Sequence, residues 1–162
     1  MNDKAQRVIE AVEHVIAMED VQPGYPDANG NTNTTWCNRA LHRVLVMLGA
    51  QADLILEPKG INWTTANRMV LQARATLGRQ LSPVEAQCRA NDGLVVIAMA
   101  HNPNGSGHVE TVLFDTETFR ADRGCRVGGA GKTNGIGYVR PRFANLEVEY
   151  YIVPPLSGGT AD

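Results

Sequence analysis

Apolar residues at Ala5, Val8, Ile9, Val12, Val15 and Ile16 recur at helical spacing and predict a first helix that ends near Met18. Residues 22–33 break the pattern, because Pro23, Gly24, Pro26 and Gly30 are interleaved with Asn and Asp, a loop by composition. A long polar loop that leads into a helix is a natural wall for a binding cleft. A second helix is expected over 35–48, where Trp36, Ala40, Leu41, Val44, Leu45 and Leu48 form a wide apolar face and Gly49 supplies the stop. A third starts near Thr64 or Thr65 and carries Ala66, Met69, Val70 and Ala73. A fourth is signed by Ser82-Pro83-Val84-Glu85, in which serine caps, proline fits the first turn and glutamate reaches back.

After Gly93 the period changes to that of strands. Residues 94–100 are a continuous apolar run, 108–114 a second strand, and 118–127 a returning third after the Asp115-Thr116-Glu117 turn. Residues 146–153 are a fourth, with Val148, Tyr150 and Ile152 alternating against Glu147, Glu149 and Tyr151. Helices first and strands afterwards predict an α+β fold, with N-terminal helices packed on an antiparallel β-sheet. No repeat divides the chain, so residues 1–153 read as a single domain and 154–162, with Ser157-Gly158-Gly159, as a flexible C-terminal tail.

Composition narrows the function classes. With 162 residues, 43% of them hydrophobic and 20% charged, the chain can bury a core without metal or disulfide staples. A net charge of −2 with scattered basic residues gives no footprint for nucleic acid. Three cysteines, without CxxC spacing, argue against both a disulfide framework and a thiolate zinc site. No apolar run approaches the roughly 20 residues that span a bilayer. The charged first residues show no signal peptide, so synthesis in the cytoplasm is expected.

Two residues stand out chemically. In Thr34-Thr35-Trp36-Cys37-Asn38-Arg39, hydroxyl residues suited to capping precede an apolar-periodic run, so the Cys37 thiol falls in a helix's first turn. Unpaired N–H groups and the positive dipole end of a helix favour thiolate over thiol there. In Gly105-Ser106-Gly107-His108-Val109-Glu110, a histidine follows a glycine-rich loop and opens a strand. Each has a bland reading, as a buried thiol and as a hydrogen-bonded strand histidine, but together they are a nucleophile and its base. The backbone N–H of Cys37 and a side chain from the preceding loop, Asn31, Asn33 or Tyr25, would stabilise an oxyanion.

At these residues the chain resembles the papain-like cysteine hydrolases of the NlpC and CHAP type, many of which cleave peptidoglycan peptides. The matching pieces are Trp36-Cys37-Asn38, Asn102-Pro103-Asn104 with Gly107-His108-Val109, Gly129-Ala130-Gly131-Lys132-Thr133-Asn134, and Val148-Glu149-Tyr150-Tyr151. The resemblance covers most of the chain from Asn31 onward. It implies a papain-like fold, amide cleavage without a cofactor, and a cell-wall peptide as substrate. It also implies a polar third residue that orients His108, for which Asn134 is the first choice, though Asn134-Gly135 is equally a turn dipeptide. Glu110 is a rival, being two along the same strand, but it is expected to point deeper into the packed face of the sheet than towards the imidazole; Asp122 is a weaker third. Positions 124–126, expected opposite His108, offer no orienting group.

Other candidates fall away. Gly128-Gly129-Ala130-Gly131-Lys132-Thr133 lacks the first glycine of a phosphate loop and leads into Asn134-Gly135-Ile136-Gly137, which cannot begin a helix. His101 with Glu110 lacks a third metal ligand, His14 and His42 suit surface or half-buried helix positions, Cys88 suits a core, and Cys125 is expected close to the site. With a cell-wall substrate and no leader, delivery by phage or secretion machinery is expected, and a neutralising protein partner becomes conceivable. Two further readings stay open: an inactive binding module on the same scaffold, and a cysteine hydrolase or transferase acting on an intracellular protein or small amide.

Overall fold

The computed structural model describes residues 1–27, 29–32 and 36–157. Helix α1 spans Asp3–Ile16, its first turn capped by the Asn2 side chain, which accepts the Ala5 N–H at 2.8 Å. Helix α2 spans Cys37–Met47, α3 spans Ala66–Thr76 with Thr65 as its capping residue, and α4 spans Pro83–Asn91 behind a complete Ser82–Glu85 capping box. Strands β1 (Val96–Ala100), β2 (His108–Val112), β3 (Arg126–Gly129) and β4 (Gly135–Tyr138) follow, then the short helix α5 (Val139–Phe143) and strand β5 (Glu149–Ile152). The fold is α+β. Among the described residues, the strands form one antiparallel five-stranded sheet in the order β4-β3-β2-β1-β5.

Helices cover both faces of this sheet, which explains why β1 reads as an unbroken apolar run instead of an alternating one. On one face Ile97, Met99, Val109 and Tyr151 pack with Leu41, Leu45, Met69 and Val70 of α2 and α3. On the other, Val96, Ala98, Val112, Val127 and Tyr150 pack with Ala86 and Ala90 of α4 and with Val139 and Phe143. Helix α1 lies against α2 and the start of the glycine-rich segment, through Val8, Val12, Ala40, Val44, Leu113 and Ala130. Among the described residues, no helix is long and apolar enough to cross a membrane.

Two expectations need correction, and two elements are new. The returning strand occupies 126–129 and not 118–127, because 115–125 form a turn-rich excursion held by Arg123, whose guanidinium meets Asp115 and Glu117 and stacks on Tyr138 at 4.2 Å. Strand β4 and helix α5 were unanticipated, since the alternating glycines of 135–137 carry no strand signature. The chain beyond Val153 is not frayed as far as Leu156: Pro155 bridges Ala50, the Pro154 carbonyl accepts from Gln51 N–H at 2.8 Å, and Leu156 N–H donates to the Gly49 carbonyl at 2.8 Å. Residues 158–162 lie outside the described residues.

Candidate active site

Cys37 is the first residue of α2. The capping expected from Thr34 and Thr35 falls outside the described residues; the residue in the cap position is Trp36, whose side chain makes no capping hydrogen bond. Trp36 is instead pinned by its own contacts. Its indole N–H donates to the Tyr25 carbonyl at 3.0 Å, and the Arg39 guanidinium lies 3.8 Å above its ring while donating to the Asp20 carbonyl at 3.1 Å. Asn38 ties the same turn to the segment before α3 through the Thr64 carbonyl at 2.8 Å. The cysteine is thereby fixed at a helix end whose N–H groups project with no side-chain acceptor from the cap.

His108 is fixed by a different device. The Asn67 amide, one residue into α3, donates to the carbonyls of Asn102 and Gly105, both at 2.9 Å, and accepts the Asn102 N–H at 2.8 Å. This clamps the 101–107 loop just before His108. Gly107 sits where a Cβ would stand 2.4 Å from Asn67 Oδ1 and 2.7 Å from the Ala100 carbonyl oxygen, so the close approach demands glycine. Gly107→Ala is expected to destabilise the fold by about 1–3 kcal/mol and to loosen the loop, which chemical denaturation and proteolysis of 101–107 would read.

The imidazole itself is held on three sides. Its Nε2 lies 2.9 Å from Oε1 of Glu110, its ring meets Phe143 edge-on at a centroid distance of 4.7 Å and 62°, and Cys37 at the start of α2 stands close enough to raise its pKa. With Nε2 given to Glu110, Nδ1 is the remaining ring nitrogen. Cys37 is 3% exposed and the His108 side chain 16%, so the pair faces solvent on the imidazole side. Burial pulls the His108 pKa down, but the hydrogen bonds and charges of Cys37 and Glu110 outweigh it and raise it to about 9.

Glu110 has a fully buried side chain that points into the packed face of the sheet, as its place in the strand requires. It is tolerated there because Arg142 of α5 pairs with it: Nε donates to Oε1 at 2.6 Å and to Oε2 at 2.8 Å, and Nη2 lies 2.5 Å from Oε1. The glycines of β3 and β4 make the space. The β2–β3 register pairs Thr111 with Gly128, and continuing it sets Gly129 beside Glu110 and Gly131 beside His108. A Cβ at Gly129 would stand 3.1 Å from the Glu110 side chain, one at Gly131 3.1 Å from the His108 ring, and one at Gly137 3.2 Å from Arg142 Cδ. The glycine-rich segment is therefore a slot for the His108–Glu110–Arg142 chain.

The remaining sequence candidates are placed elsewhere. Asn134 does not orient His108: its amide braces the glycine-rich loop against the end of α1, donating to the Val21 and Ile16 carbonyls at 3.1 and 3.3 Å and accepting the Gly131 N–H at 3.2 Å. It serves as the turn residue its Asn-Gly sequence also suggested. Tyr25 holds Trp36 through its carbonyl, and Asn31 is exposed in a turn built on Asp27, whose carboxylate accepts the Asn31 N–H at 2.9 Å. Asn33 lies outside the described residues. Asp122 pairs with Arg120 on the surface. Cys88 is exposed and not core, whereas Cys125 is buried beneath α4, its thiol donating to the Pro83 carbonyl at 3.1 Å, and burial pushes its pKa up to about 12.

Arg142 and Phe143 escaped the sequence reading because they follow a strand that had no visible signature. The signal that pointed to them is the matching two-residue period of His108-x-Glu110 and Gly129-x-Gly131 on neighbouring strands. No family model matches the chain, and no curated protein matches it.

Proposed function

We propose that the protein is a cysteine hydrolase of papain-like type that cleaves amide bonds, with Cys37 as nucleophile, His108 as acid and base, and Glu110 as the residue that orients the imidazole. The reading rests on one observation, an imidazole bonded to a buried carboxylate and raised in pKa by a cysteine that opens a helix. In the forward step the Cys37 thiolate adds to the amide carbonyl carbon, and the protonated His108 gives its proton to the leaving amine as the C–N bond breaks. The product is a thioester. His108, now neutral, takes a proton from water, the hydroxide adds to the thioester carbonyl, and the acid leaves as the sulfur departs as thiolate. The developing oxyanion would be met by the Cys37 N–H at the α2 terminus. No step calls for a cofactor.

For substrate, the resemblance favours the peptide part of a bacterial cell wall, cut by an amidase or endopeptidase, with delivery by phage or secretion machinery. Incubation with purified sacculi tests it: wild type releases soluble peptide fragments and Cys37→Ala does not. Wild type that releases nothing from sacculi of any wall type would overturn the wall assignment and favour an intracellular amide.

The imidazole also sets a pH dependence. Because the folded pKa is about 9 against an ordinary 6.5, His108 stays protonated at neutral pH and loses its proton as pH rises through about 9. Activity is expected to fall over that range as the leaving amine loses its proton donor. The sign for stability follows: a raised pKa contributes stability in full below about 6.5, and that contribution disappears as pH approaches and passes 9. Urea unfolding at pH 6 and pH 9.5 should show a decrease that is smaller in His108→Gln.

A further inference from the structure

The chemistry just described makes no use of Arg142. We infer that Arg142 is a positioning residue, which locks the Glu110 carboxylate and through it the His108 ring so that the imidazole presents its other nitrogen to Cys37. The inference rests on the hydrolase reading above and extends it from three residues to four.

Glu110 cannot hold its own orientation, because a glutamate side chain has three rotatable bonds and a buried carboxylate lacks water to fix it. Arg142 removes that freedom. Its Nε–H is shared between both oxygens, at 2.6 Å from Oε1 and 2.8 Å from Oε2, with Nη2 2.5 Å from Oε1 as a charge contact, and so it holds the carboxylate with Oε1 facing His108 Nε2 at 2.9 Å. Arg142 is fixed in turn from behind, with Nη2 donating to the Gly129 carbonyl at 3.2 Å and the Thr133 carbonyl at 3.3 Å. Its neighbour Phe143 closes the far side of the imidazole. A single short helix thus delivers both the charge behind the carboxylate and the wall beside the ring. The groups that face His108 are Cys37 from α2 and Glu110 from its own strand, with Arg142 behind Glu110.

A bridge that only joined α5 to β2 would leave sulfur reactivity untouched, which separates the two roles. The test needs no substrate: the rate of Cys37 alkylation by iodoacetamide, read by mass spectrometry, and the titration of the His108 ring, read by NMR. Arg142→Lys keeps the charge and loses the planar guanidinium with its Nε–H shared by both carboxylate oxygens; it is expected to fold, to slow alkylation about tenfold and to lower the imidazole midpoint. Arg142→Gln should slow alkylation by about tenfold to hundredfold. In a Glu110→Gln background the same change should matter by less than about twofold, because Arg142 acts through Glu110. Wild-type alkylation and titration in a folded Arg142→Lys, or an undiminished Arg142→Gln effect beside Glu110→Gln, would overturn the inference while leaving the hydrolase reading intact. If Arg142→Gln does not fold, Arg142→Lys decides. Wild type whose Cys37 is no more reactive than Cys88 would overturn the hydrolase reading and this inference together.

Discussion

Cys37→Ala is expected to abolish amide hydrolysis, with a loss on the order of 10⁶-fold, the scale seen when an acyl-transfer enzyme loses its nucleophile. No thioester can form without the sulfur, and no other thiol is placed to replace it: Cys125 lies buried under α4 and Cys88 is on the exposed side of that helix. His108→Ala should cost nearly as much, since the leaving amine then lacks its proton. The double variant should be no worse than either single one, because thiol and imidazole act as a unit. The fold should survive. Alanine at position 37 removes one sulfur atom from a well-packed site, a change of about 1 kcal/mol, so a near-normal urea midpoint beside lost activity would separate chemistry from unfolding. Activity retained within tenfold in Cys37→Ala would be incompatible with the mechanism.

Glu110 carries the second large effect, and its two substitutions should behave differently. Glu110→Ala leaves the Arg142 guanidinium, 14% exposed, without its partner, and breaking such a pair from one side costs about 3–5 kcal/mol. Glu110→Gln keeps the volume and one acceptor oxygen, so the protein should fold. Its imidazole, however, loses a charge that helps hold its proton. Turnover is expected to drop by about 10²-fold or more, and the alkaline decline in activity should move below pH 9 toward the ordinary histidine range. Rates measured across pH 6–10 for wild type and Glu110→Gln would show it. By contrast, Asn134→Ala should leave that profile in place, because its amide braces the loop to α1 and not the imidazole.

The helical half of the fold was legible because each start carried a local chemical mark. Ser82, Pro83 and Glu85 form the capping box their spacing announced, and Thr65 accepts the Arg68 N–H at 3.3 Å as the third helix begins. Cys37 and His108 were legible for the same reason, each at the first residue of its element. The polar partner of the His108 ring, Glu110 and not Asn134, was less legible. Placing the hairpin turn near Glu117 set the wrong register, so residues 124–126 were sought opposite His108 where Gly131 stands. Glu110 was ranked second because a residue two along the strand was expected to point deeper into the packed face and not towards the imidazole, whereas its Oε1 reaches His108 Nε2 at 2.9 Å. The cation that lets this carboxylate stay buried beside the ring comes from Arg142, 32 residues further along. A counter-charge supplied across a sheet, through a slot cut by glycines, has no local signature in one sequence.

The most direct test of the central claim is competition among the three cysteines for a limiting dose of iodoacetamide at about pH 6, read by peptide mass spectrometry. Exposure alone would favour Cys88, since Cys37 is only 3% exposed and Cys125 is buried. Activation of the sulfur by His108 reverses that order: Cys37 should be modified first, and His108→Ala should abolish the preference while Cys88 continues to react as before. Labelling that follows exposure, with Cys88 first and Cys37 silent, would contradict the account.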